Sequence, residues 1–532
     1  MAESPIISAT LLNYSLPGGY PRILVLGIGV ALVFQAFRTW WPLRHIPGPL
    51  FAKITNLQRV WWVKTGRAHL IHEQIHQKYG EVVRIGPNMV SISNPEAIPT
   101  VYPMRPGFPK SDFYATLRPY TPDHGTLLAV FNTQDEQVHK RIKNPIAPLY
   151  SLSNVVLFEG LIDEVLECLE EQLDNRFSQT GATLNLGDWL QYFAFDVMGT
   201  LTFSKRYGFI HEGRDAGGML ATIYNHLKAQ SVLTQITWLD PIINKNRIAS
   251  RLFPTPGMSI LGFVGKVIHE RLQTPEDKED IRASNGSKRQ FRDYLSHFLE
   301  IQQSNDKVPT WAPTAWVFSN VVAGSDSTGT VMKTVMYNLL CHPSTLEKLY
   351  KELAAANLSR PYPKWGEVCL LPYLDACIQE GVRLHPPFAL PFERVVPAGG
   401  ITVLGKYLPG GTLVGGNPYV VNRHRQTFGD DPDSWSPERW LVGGEQHKKK
   451  LEKSVLTFGA GRRVCLGKHL GLLELKKIIP FLVLTYDMSV VDPEDFSVEN
   501  GWFFKQTGFH AKLKKRPLPE VLLDSGVVQS QS

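Results

Sequence analysis

FGAGRRVCLG, Phe458 to Gly467, sets a cysteine behind two glycines and two arginines, and the chain then runs on as KHLGLLELKKIIPFLVL, Lys468 to Leu484. The second stretch has the apolar spacing of a buried helix, so Cys465 stands where a turn hands over to a helix start. Free N–H groups and the dipole at such an end favour an anion, which stabilises a thiolate. Gly459, Gly461 and Gly467 carry no side chain, so a flat ligand can lie close to the backbone. Arg463, two residues before the cysteine, can pair with carboxylates on that ligand.

The other cysteines narrow the choice. Cys168, Cys341, Cys369 and Cys377 form no CxxC pair and no disulfide ladder with Cys465, which points to a reducing compartment. His469 follows Cys465 by four residues, but no second ligand pair accompanies it, so zinc is disfavoured. Gly467-Lys468 lacks the glycine spacing of a phosphate loop, and His469 stands where Ser or Thr is required. A flat, carboxylated ligand with a soft metal centre is haem.

Working outward, the body after residue 50 contains no linker, low-complexity tract or repeat, and a 532-residue chain that is 43% hydrophobic can bury one large core. Ala68 to Tyr79 reads as a helix stopped by Gly80. Val82 to Ile92 reads as a hairpin. Long helices are expected over 156–178, 186–204, 256–274 and 309–341, and short strands over 393–415 and 500–513. The fold class is mostly α with minor β. The 309–341 helix would be roughly 50 Å long. Its middle, Ala323 to Thr328, is AGSDST, a run whose hydroxyls can bond back to carbonyls and bend the helix.

Phe458-x-x-Gly461-x-Arg463-x-Cys465-x-Gly467 resembles the haem loop of the cytochrome P450 family. Glu380-Gly381-Val382-Arg383 resembles its ExxR helix, Pro437-Glu438-Arg439-Trp440 its PERF motif with Trp for Phe, and IPGP, Ile46 to Pro49, its post-anchor hinge. The style is similar to fungal secondary-metabolite enzymes of the pisatin demethylase type. The resemblance implies a triangular helical body with small sheets, and haem b between the long central helix and the cysteine-bearing helix. Cys465 would be the axial iron ligand, with Phe458, Gly459, Arg463 and Gly467 around it. His139, Lys143 and Arg394 join Arg463 as propionate candidates; Arg463 ranks first and His139 second. Lys143 stands where Arg is usual and lacks the bidentate fork. Glu380, Arg383 and Arg439 would form a buried charged cluster that fixes the haem loop, against the alternative of surface pairing.

The same resemblance implies a monooxygenase that places one atom of O2 in a bulky apolar molecule, such as a terpenoid, polyketide or alkaloid. Asp326 and Ser327 match the acid–alcohol pair that delivers protons, except that Ser replaces the usual Thr and Thr328 follows. Phe108, Phe113, Phe318, Phe388, Phe392 and Phe504 would line the substrate pocket. No flavin or nicotinamide domain follows Cys465, so electrons would come from NADPH–cytochrome P450 reductase, steered by Lys140, Arg141, Arg462, Lys468 and Lys448–Lys450. That last lysine run reads equally as a solvated loop. A haem-thiolate isomerase or dehydratase and a non-catalytic haem protein are the rival readings, and Asp326-Ser327 argues against the former. The net charge of +7 is mild, and no nucleic-acid partner is expected.

Ahead of the body, Ile23 to Phe37 is apolar except for Gln35. It spans roughly 22 Å as a helix, and Tyr20 and Trp40-Trp41 extend it into the interfaces. No small-x-small site follows it, so an anchor over 23–41 is favoured over a cleaved signal peptide. Arg38, Arg44 and Lys53 place the body in the cytosol on the endoplasmic reticulum membrane, with residues 1–22 lumenal, 42–50 a proline hinge and 51–532 one catalytic domain. Asn13-Tyr14-Ser15 is a glycosylation sequon on the lumenal side.

Overall fold

The computed structural model describes residues 26–27, 37, 40–252, 256–273 and 292–517. The tail over 1–22 with its Asn13 sequon, and most of the anchor over 23–41, lie outside them. Among the described residues no helix is long and apolar enough to cross a membrane. The IPGP segment is docked onto the body. Ile46 is fully buried, and Arg84 N–H donates to the Pro47 carbonyl at 2.7 Å.

Helix α1 (Ala68–Tyr79) precedes the antiparallel hairpin of β1 (Val82–Gly86) and β2 (Met89–Ile92). Helix α2 (Glu136–Lys143) opens on Asp135, whose carboxylate accepts from the N–H groups of Gln137 and Val138. Helix α3 (Glu159–Leu173) is flanked by a 3₁₀ turn, Val156–Phe158, and a π turn, Asp174–Ser178, so three helical pieces fill the expected 156–178 span. There follow β3 (Leu184–Asn185), α4 (Leu186–Phe203), α5 (Met219–Leu233) and α6 (Pro256–Gln273). Then come α7 (Ala312–Cys341), α8 (Pro372–Leu384), β4 (Arg394–Val395) and β5 (Leu413–Gly416). The chain continues through α9 (Gly444–Ser454), α10 (Lys468–Thr485), β6 (Tyr486–Val490), β7 (Phe504–Thr507) and β8 (His510–Lys515).

Helices dominate and the sheets are small and separate. One has the order β1-β2-β5-β4, with β2 and β5 parallel, and another the order β6-β8-β3. Helix α4 is buried on every side, with only Asp188 and Gln191 less than fully buried, so it is a core rod and not a surface helix. It packs along α7. Helix α8 presses on α7 at Gly381, where an added Cβ would come within 2.3 Å of Val335 Cγ2. The lysine run at 448–450 is helical, within α9. Lys448 pairs with Asp375 and Lys449 with Glu445, so ion pairs hold a helix that apolar spacing does not announce.

Candidate active site

Helix α7 starts at Ala312, three residues later than the sequence spacing predicts, with Pro313 in its first turn. Its polar middle stays helical, and the hydroxyls of Ser327, Thr328 and Thr330 bond back to it, while that of Ser325 is buried without a partner among the described residues. Ser327 donates to the Ala323 carbonyl at 2.7 Å, Thr328 to Gly324 at 2.9 Å and Thr330 to Asp326 at 2.9 Å. The two adjacent hydroxyls look in different directions. Thr328 is buried and lies 3.5 Å from where a Cβ at Gly471 of α10 would sit. Ser327 shares a face with Ala323, which is exposed although it lies in the centre of a 30-residue core helix.

Cys465 shows the same feature. It is exposed, although the helix that follows it, α10, runs into the core. Its N–H donates to the Phe458 carbonyl at 2.8 Å and closes the turn. Gly461 in that turn has φ +63°, and a Cβ there would meet the Tyr102 carbonyl at 2.0 Å, so only glycine fits. Burial pushes the thiol pKa up, and it outweighs the N–H groups of Gly467 and Lys468 and the charges of Lys468 and Lys143. The N–H groups at the helix start do favour the anion, as the sequence reading expects, but burial opposes them, and a bound metal ion would complete the stabilisation.

Glu380 and Arg383 of α8 are both fully buried. Glu380 Oε1 accepts from Arg383 Nη2 at 2.7 Å, Arg439 Nε at 2.9 Å and Ser436 N–H at 3.1 Å. Its Oε2 accepts from Arg383 Nε and from the Trp440 indole N–H, each at 2.9 Å. Trp in place of Phe thus supplies a further donor, a role the motif alone did not reveal. Burial works to raise the Glu380 pKa, but Arg383, Arg439 and Trp440 hold it below the usual carboxylate value. Arg383 also donates to the Asn422 carbonyl, and the Asn422 side chain bonds Thr457 Oγ1 at 2.8 Å and Leu456 N–H at 2.8 Å. The cluster is therefore wired to the residues immediately before Phe458.

Lys110, His139, Lys143, Arg394, Arg462 and Arg463 converge beside this turn. Glu136 takes both Arg463 Nε, at 3.0 Å, and Arg463 Nη2, at 2.7 Å, and also pairs with Arg462 at 3.0 Å. Lys143 donates to the Arg462 carbonyl at 3.0 Å. Lys110 and Arg394 are buried and have no carboxylate partner among the described residues. Lys110 donates to the Phe131 carbonyl and lies 4.0 Å from the Tyr114 ring. Its pKa is driven well down by burial and by Arg394 and Arg463. Buried His139 is held neutral, its pKa lowered to about 3 by burial and by the Arg463 and Lys143 charges, and its Nδ1 has no partner. Lys143, Arg394, Arg462 and Arg463 still outnumber the one carboxylate, Glu136, and such a surplus of buried and half-buried charge is costly unless an anion completes it. The two propionates of haem b would do so, with the iron at the exposed Cys465. Lys110 was missed by sequence reading; a bridge pairing it with Arg394 brings it in.

Of the expected pocket aromatics, Phe113, Phe388 and Phe392 cluster. Phe388 stacks on Phe392 at 4.9 Å and meets Trp502 at 4.7 Å, and Phe113 lies 5.6 Å from Trp502. Trp502 was not anticipated. Phe504 packs instead on His69 and Tyr419, and Phe108 lines a cleft with Arg394 and Arg463. Phe318 is buried in the main core.

A family model described as Cytochrome P450 matches residues 46–512. Cytochrome P450 monooxygenase mfmA of Annulohypoxylon moriforme is 62% identical over 499 residues, covering 93% of this chain and 96% of its own length. Cytochrome P450 monooxygenase pkfB of Emericella nidulans is 56% identical over 502 residues, covering 94% and 96%. Cytochrome P450 monooxygenase mpaDE of Penicillium roqueforti is 56% identical over 501 residues, covering 93% of this chain and 58% of its own. The family match spans both the Cys465 turn and the Glu380 cluster, so the chain belongs to the cytochrome P450 family and is a monooxygenase with haem b as its cofactor.

Proposed function

We propose that Cys465 is the axial thiolate and that Arg394, Lys110 and His139 face the propionates, with Arg463 shared between them and Glu136. The surplus of cationic side chains over Glu136, beside the exposed Cys465, carries this reading. When bound, haem b supplies the reductive activation of O2 and the transfer of one oxygen atom to substrate. Phe113, Phe388, Phe392 and Trp502 offer an aromatic wall to a bulky apolar substrate and exclude water. Asp326 takes up and passes on a proton at its carboxyl, whose pKa burial pushes up to about 6, within reach of neutral pH. Ser327 moves one at Oγ, and it stands on the open face of α7 where Thr328 does not.

Ser327→Ala should keep haem content and substrate binding, lower turnover, and release more of the consumed NADPH as hydrogen peroxide. The check is the ratio of product to NADPH consumed with added reductase. An unchanged ratio would mean that protons travel by Thr328, water or the substrate. Exposed Lys140 and Arg141 at the end of α2 suit an acidic reductase. The anchor segment 23–41, built on the apolar run 23–37, would hold the chain on the endoplasmic reticulum membrane, with residues 51–532 a single cytosolic domain. Protease added to sealed microsomes should then digest the body, and full protection of residues 50–532 would reverse the topology.

A further inference from the structure

Asp326 does not stand alone. Gln191 Nε2 of α4 donates to Asp326 Oδ1, and Gln191 Oε1 accepts from Lys333 Nζ. An ammonium group only donates, so the oxygen end of the amide must face Lys333, and the nitrogen end is thereby aimed at Asp326. Asp326 and Lys333 are seven residues apart on α7 and share the face that packs on α4. Gln191 and Asp188 are the polar breaks in an otherwise buried α4, and both serve this line: Asp188 lies near Lys333 and favours its charge. Lys333 is only 6% exposed, so its charge is weakly screened.

We propose that Gln191 and Lys333 are positioning residues for Asp326: the ammonium aims the amide, and the amide and ammonium together hold the carboxyl ionised and turned toward α4 until a proton reaches it. The inference rests on the reading of Asp326 as a group that takes up and passes on a proton. A protonated carboxyl no longer needs the amide N–H, so uptake of a proton frees the side chain from its fixed orientation. Burial, and Asp215 from the segment before α5, push the same carboxyl toward its neutral form, while Lys333 and the Gln191 bond oppose them. Burial lowers the pKa of Lys333 in turn, helped by Lys505 of β7, while Asp188 of α4 and Asp326 favour its charge. The balance of these groups sets the pH at which Asp326 titrates. Removing the ammonium must move that pH upward.

The test is an infrared titration of the haem-loaded full chain, following the carbonyl band of a protonated acid that disappears in Asp326→Asn. Lys333→Met should raise the midpoint by about one pH unit, the low end of the shift an opposite charge produces. Gln191→Leu should raise it too, because a hydrogen bond to the charged form is lost. Two variants guard against misfolding of either one, and both are compared with the parent at equal haem content. A midpoint unmoved in both variants overturns the proposal. The pH profile of the product-to-NADPH ratio separates it from the reading beneath it. If the infrared midpoint moves and that profile does not, the positioning stands and the proton role of Asp326 falls.

Discussion

Cys465→Ala should abolish the thiolate-type absorption of the reduced carbon monoxide complex, and monooxygenase turnover should disappear with it. The expectation follows from what holds the turn. Its geometry is backbone-made: Cys465 N–H bonds the Phe458 carbonyl, and Gly461 sits against the Tyr102 carbonyl. Alanine keeps every one of those contacts. The sulfur is exposed and contributes little packing, so stability of the protein without haem should change by no more than about 0.5 kcal/mol, as for surface substitutions. Loss of function without loss of fold is the signature of a ligand. The N–H groups of Gly467 and Lys468 favour the anion, and a bound metal ion would add the larger share. A Cys465→Ala protein with an unchanged carbon monoxide spectrum would remove the basis of the whole assignment.

How much of this was legible before the fold was known depends on the range of each interaction. The Glu380–Arg383 pair is three residues apart on one helix, and a pattern of that range can be read off the chain. The Cys465 turn is equally local. Arg463 is different: its partner Glu136 is more than three hundred residues away, so the sequence offered Arg463 as an uncommitted cation when it is already paired. Lys110 and Arg394 were harder still, because only a bridge between distant segments places them together. Gln191 left a weak trace, a polar break three residues after Asp188 in the apolar run Leu186–Phe203. Trp440 was seen as a departure from a motif but not as a donor, since which carboxylate an indole reaches is a tertiary fact.

Glu380→Gln should be the most destabilising single change in the body that leaves volume intact. The carboxylate receives five hydrogen bonds, four from side chains and one from the Ser436 N–H, and three of them come from two guanidinium groups. A neutral amide keeps the shape but removes the counter-charge of a fully buried Arg383, and its NH₂ end points at donors. Uncompensated burial of a charge in this way costs about 3–5 kcal/mol, a large part of a typical domain's stability. Trp440→Phe removes one charge-assisted bond only and should cost about 1.5–3 kcal/mol. Both losses should be read as shifts of the urea midpoint. The pH dependence has a definite sign. The folded-state pKa of Glu380 is depressed, so its contribution is complete above the unfolded value near the ordinary glutamate pKa and is lost as pH falls through the folded one. The gap between parent and Glu380→Gln should therefore stay constant across neutral pH and narrow only in acid. The damage also has a direction in space. Arg383 donates to the Asn422 carbonyl, and the Asn422 side chain holds Leu456 N–H and Thr457 Oγ1, so the first segment to loosen should be the one leading into Phe458. Hydrogen exchange of Leu456 N–H should accelerate more than that of α3, which lies outside this network. Equal acceleration in the two places would mean that the cluster stabilises the body as a whole and does not specifically brace the haem loop.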